Sequence, residues 1–188
     1  MAISELIGLV TPPVHPLDAG DEETVAAIER YLSSSLPTDY VDLVRRYGTG
    51  CFGDATFYFW IDNFLGRDGV KSLDQELYFW REGRKLFPKE FTFDLFPARP
   101  GYLPCGADVD GGSIAWLVAG TPESWSVVAK SRDGKQFEVF DMPLTTFLAK
   151  ALTHEIEPDV WPPDFPEDIS RVTFVPGEAY HQSVAYRR

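Results

Sequence analysis

Histidine and cysteine are scarce in this chain, long apolar runs are missing and positive charge is in deficit, and each shortage excludes something. Three histidines (His15, His154, His181) and two cysteines (Cys51, Cys105) are scattered over 188 residues. No C-x-x-C pair occurs, which leaves no metal or redox motif built on cysteine; both thiols are expected as small core residues. His154 is followed by Glu155, but no second histidine stands three residues further on, so the zincin pattern is absent. At a helix end, His154 is read as answering the negative pole of the helix dipole. Neither a G-x-S-x-G elbow nor a phosphate-binding G-x-x-x-x-G-K-S/T loop occurs.

No segment approaches the roughly 18 consecutive apolar residues of a membrane span. Glu5 stands where a secretory signal would carry a basic start, and Pro12-Pro13 cut the apolar run short. The expectation is a chain without an export signal that stays in the cytoplasm. The charge balance is one-sided, with 17 Lys plus Arg against 29 Asp plus Glu, a net −12. Nucleic acid and anionic membranes both demand a cationic surface, so neither is expected as a partner. A basic macromolecule fits better.

What the chain does have is core material: 44% hydrophobic and 14% aromatic residues, enough for one domain over residues 1–188. The first twenty residues read as Pro-rich and irregular. Asp21 caps a helix over residues 22 to about 33, with Val25, Ile28 and Leu32 as its buried stripe. Leu36-Pro37-Thr38-Asp39-Tyr40 opens a second helix in which Tyr40, Leu43, Val44 and Tyr47 follow helical spacing and Gly48 ends it. Residues 56–61 read as an inner strand. Ser72 with Gln75 reads as a capping box for a helix to about residue 86. Pro88, Pro97 and Pro100 mark a loop. Strands follow from Leu103, over 114–118, 125–129 and 137–140, with Asp133-Gly134 as a hairpin turn. A last helix follows Pro143. The fold class is therefore α+β, a single mixed or mostly antiparallel sheet flanked by helices.

Residues 153–188 form an acidic, Pro-rich C-terminal extension. Glu155, Glu157, Asp159, Asp164, Glu167 and Asp168 are interleaved with Pro158, Pro162, Pro163 and Pro166, and no basic residue intervenes. Residues 172–175 and 183–186 read as strands, either a hairpin or additions to the sheet edge. Trp161, lying among prolines and acids, is expected to be exposed and to anchor a partner. The other tryptophans, Trp60, Trp80, Trp116 and Trp125, are expected in the core.

Two weak motifs are better read as turns. Gly48-x-Gly50-x-x-Gly53 spells the dinucleotide pattern but follows a helix and leads into a strand, the reverse of what that site needs. Asp108-Val109-Asp110-Gly111-Gly112 hints at a calcium loop, yet the twelfth position is Ala119, not a bidentate glutamate. No cofactor is implied.

Several segments together resemble the SUKH superfamily, which includes the Smi/Knr-type regulator of yeast cell-wall synthesis and many bacterial immunity proteins. They are the Leu36-Pro37-Thr38-Asp39-Tyr40 run ending at Tyr47-Gly48; Gly101-Tyr102-Leu103-Pro104-Cys105-Gly106-Ala107-Asp108; Asp110-Gly111-Gly112-Ser113-Ile114-Ala115-Trp116; and Gly120-Thr121-Pro122-Glu123-Ser124-Trp125. The similarity spans about residues 20–152. It implies the SUKH fold and a non-enzymatic binding scaffold, with Leu36, Pro37, Tyr40, Gly48, Gly111 and Trp116 as framework. It also implies a cytoplasmic immunity protein that neutralises a toxin domain, often a nuclease. A regulatory scaffold of the Smi/Knr type, without a toxin, is the alternative. Nuclease domains carry cationic clefts, so Asp108, Asp110, Glu157, Asp159, Trp161 and Asp164 are the expected contact residues.

Overall fold

The computed structural model describes residues 2–54, 56–91 and 93–177. Its clearest helix is the one with the clearest spacing. α3 (Thr38–Tyr47) buries Tyr40, Leu43, Val44 and Tyr47 on one face. Gly48 then turns away at φ +69, and a Cβ there would lie 2.2 Å from the Leu17 carbonyl oxygen. Only glycine supplies both the positive φ and that approach.

Two other helices precede it. α2 (Glu22–Leu32) is capped by Asp21, whose carboxylate accepts from the Thr24 N–H while the Thr24 hydroxyl accepts from the Asp21 N–H. α1 (Ala2–Leu9) corrects the expectation of an irregular N-terminus. Leu6 and Val10 are buried, and the helix packs on the last helix; the prolines at 12 and 13 stop it rather than prevent it.

The strands β1 (Gly50–Gly53), β2 (Tyr58–Ile61), β3 (Gly101–Asp108), β4 (Ser113–Val118), β5 (Ser126–Lys130), β6 (Phe137–Phe140) and β7 (Thr173–Pro176) form one antiparallel sheet. Its order is β6-β5-β4-β3-β2-β1-β7. β2 is an inner strand, as its two-sided apolar character implied. β7 adds to the edge through β1, so residues 173–176 complete the sheet. The expected strand at 183–186 lies outside the described residues.

One face of the sheet, with Phe52, Phe59, Leu103, Ile114, Trp116 and Val127, builds the main core with α1, α2, α3 and α5 (Leu144–Leu152). The opposite face carries Tyr102, Ala115 and Val128, covered by Trp80, Phe91 and Phe93. Trp80 comes from α4 (Gly69–Leu86), which starts at Gly69, short of the expected Ser72–Gln75 cap. A Cβ at Gly69 would fall 1.7 Å from the Phe64 carbonyl oxygen, so the chain turns there and Ser72 becomes a first-turn residue. This is the α+β architecture expected, with helices on both sides of the sheet.

α5 receives its cap from a distant element. Pro143 offers no side-chain cap, and Asp39 of α3 accepts from the Thr145 N–H at 2.8 Å and from the Thr145 hydroxyl at 3.2 Å. Burial raises the Asp39 carboxyl above its ordinary value, and the Thr145 bonds oppose the rise only in part.

Candidate protein-binding surface

The framework positions are tied together by a tyrosine. The Tyr40 hydroxyl donates to the Asp62 carbonyl at 2.7 Å and accepts from the Phe64 N–H at 2.9 Å, holding the segment between β2 and α4. Its ring meets Trp116 edge-on at 5.0 Å. Leu36 and Trp116 are likewise buried. Gly111 sits at φ +86 in the turn between β3 and β4.

That turn corrects the place given to Asp108. The residue is 3% exposed, and its carboxylate accepts from the Asp110 N–H at 3.0 Å and the Gly112 N–H at 2.9 Å. A Cβ at Gly112 would lie 2.3 Å from that carboxylate, so the glycine is part of the same turn. Asp108 shapes the loop, and Asp110 is the carboxylate of this turn that faces solvent.

Trp161 also differs from expectation. It is 5% exposed, stacked on Phe59 (centroids 4.9 Å apart, planes 22° from parallel) and set edge-on to Phe147 and Phe165. Its neighbours in sequence hid its main partner: the ring it stacks on comes from β2, far earlier in the chain, while Phe147 and Phe165 lie close in sequence. An indole of this size gains more from a core than from water. Trp60 and Trp80, expected in the core, are only half-buried.

With Trp161 driven inward, the acids around it stay on the surface. Glu157, Asp159 and Asp164 are exposed. Glu157 and Asp164 line one cleft of about 760 Å³ together with Glu167, His154 and Thr56. His154 Nδ1 lies 3.7 Å from Glu157, and its Nε2 is 2.7 Å from the Pro166 carbonyl oxygen. Asp159 is placed outside that cleft, its N–H donating to Glu138, and Asp110 belongs to the β3–β4 turn. The structure thus brings Glu157 and Asp164 together and adds Glu167, which the sequence reading did not single out.

A second acidic cleft, of about 520 Å³, escaped the sequence reading. Asp18, Asp62, Asp68 and Glu76 line it, with Arg67 at its wall. Burial and the nearby Glu76 carboxylate push Asp62 up to about 7, against the pull of a hydrogen bond from Trp60. Glu76 itself accepts from the Trp80 indole at 2.7 Å. An acid at the end of an apolar strand is the one signal that could have marked Asp62 in advance. Among the described residues, no group of three or more His, Cys, Asp or Glu side chains is arranged to hold a metal ion. No helix among them is long and apolar enough to cross a membrane.

The family model described as SMI1-KNR4 cell-wall, within the SUKH group, matches residues 22–148. The chain belongs to the SUKH superfamily. The matched region runs from α2 into α5 and includes all six framework positions, whereas the acidic cleft after α5 is lined, Thr56 apart, by residues beyond its end. No curated protein and no solved structure matches the chain.

Proposed function

We propose that this SUKH protein is a non-enzymatic protein-binding module, acting in the cytoplasm as an immunity protein that neutralises a basic, nuclease-type toxin domain. The observation that carries the reading is the cleft where Glu157, Asp164 and Glu167 gather, in a chain of net charge −12. Asp110 and Asp159 are further exposed acids on other loops. Such a surface steers a cationic cleft into contact and competes with nucleic acid for it. The fold serves as the frame, and apart from Asp110 the individual charges come from the segment beyond the family match. We further propose that residues 1–188 act as one unit, because Trp161 and β7 tie that segment to the sheet.

Co-expression with the product of the adjacent gene tests the reading. Rescue of growth together with co-purification supports it. A regulatory scaffold without a toxin, favoured by the cell-wall description of the family, predicts that neither occurs.

A further inference from the structure

Among the described residues, one buried cation of this acidic chain forms no ion pair. Lys130, the last residue of β5, is 7% exposed, yet among the described residues its ammonium takes part in no ion pair. The lysine ammonium groups that do meet a carboxylate among the described residues are those of Lys85, Lys135 and Lys150. Lys130 instead points at π faces: its Nζ lies 5.5 Å from the ring centres of both Trp80 and Phe91.

The two acids nearest to it are otherwise placed. Asp133 is held by Lys135 at 2.9 Å and accepts from the Ser131 hydroxyl at 2.9 Å. Glu90 is exposed at the rim and forms no ion pair with Lys130. Burial lowers the Lys130 ammonium below the ordinary lysine value, while Glu90 and Asp133 resist that shift. Two aromatic faces compensate a desolvated ammonium only in part.

The ammonium opens onto a cleft of about 240 Å³ whose walls include Phe79, Trp80, Phe87 and Phe91, with Arg132 at its mouth. Phe79 and Phe87 are 58% and 56% exposed, an unusual amount of bare aromatic surface beside a buried positive charge. The volume falls below the roughly 300 Å³ at which pockets for drug-sized ligands begin, so the cleft suits a group of side-chain size.

We propose that this cleft binds a single carboxylate carried on an aromatic or aliphatic body, with Lys130 as the anchoring cation. The carboxylate supplies the counter-charge that Lys130 lacks, Arg132 assists from the rim, and the apolar body covers Phe79 and Phe87. The site therefore has the opposite polarity to the acidic cleft after α5. Two sources carry this chemistry: a free arylalkanoic acid, and an acidic residue beside an aromatic one in a peptide.

The test is calorimetric titration of the full chain with 3-phenylpropanoate, with 3-phenylpropanamide, and with an acetylated, amidated Phe-Glu dipeptide. The acid or the dipeptide is expected to bind saturably, and the uncharged amide about tenfold more weakly or worse. Lys130→Met keeps the aliphatic stem and is expected to remove that preference. Arg132→Gln, at an exposed position, is expected to weaken the charged ligand by a smaller factor. Tighter binding of the free acid assigns the site to a small molecule, and tighter binding of the dipeptide assigns it to a protein partner. Equal binding of acid and amide, no binding of either charged probe, or an unchanged preference in a folded Lys130→Met protein would overturn the proposal.

Discussion

Trp161 lies flat on Phe59, 4.9 Å between ring centres, and joins the segment after α5 to the middle of the sheet. Phe57, Phe147 and Phe165 close around the same indole. A segment that the family match does not reach is thereby part of the core.

Trp161→Ala is therefore expected to lower the unfolding free energy by about 3–5 kcal/mol, the cost of emptying a large aromatic site. Urea unfolding followed by circular dichroism measures it. A loss below about 1 kcal/mol would mean that the residue lies at the surface after all.

Asp39 and Thr145 make a second long-range tie, 106 positions apart in the chain. Asp39→Ala leaves the first turn of α5 uncapped and is expected to cost about 1–2 kcal/mol. Asp39→Asn retains an acceptor and removes a charge that burial disfavours, so it is expected to cost less than the alanine variant. The difference between the two unfolding midpoints decides the point.

Asp62 gives the protein a pH-dependent term of unusual sign. Its folded-state value, about 7, lies above the ordinary 3.8, so between these limits the folded form binds more protons than the unfolded one. Its contribution is fully present below pH 3.8 and is lost as pH rises toward 7, by no more than about 4 kcal/mol and by less where water enters the cleft. Asp62→Asn is expected to unfold at the same urea concentration as wild type near pH 4 and at a higher one at pH 8. Equal midpoints at both pH values would show that the carboxylate is ionised and well solvated at neutrality.

The sequence was legible where periodicity and turn chemistry coincide. Tyr40, Leu43, Val44, Tyr47 and Gly48 mark α3 by spacing alone, and Asp133-Gly134 marks the β5–β6 turn. It was not legible where the decisive contact is distant. Asp39 caps a helix that begins more than a hundred residues later, and the fate of Trp161 depends on the ring of Phe59 in β2. The start of α4 follows from a close backbone approach at Gly69, which leaves no polar signature to compete with Ser72 and Gln75. Of the candidate surface, the acids after α5 were readable from composition; their grouping with Glu167, and the burial of Asp108, were matters of folding.

The most direct test of the account is the association rate of this protein with the product of the adjacent gene, which the proposal expects to be a basic nuclease domain, measured against ionic strength for wild type and for Glu157→Gln/Asp164→Asn/Glu167→Gln. An acidic binding face predicts a wild-type rate that falls steeply with salt, and a triple variant slower by about tenfold or more at low salt with a flatter dependence. Superimposable salt profiles for the two proteins would contradict it.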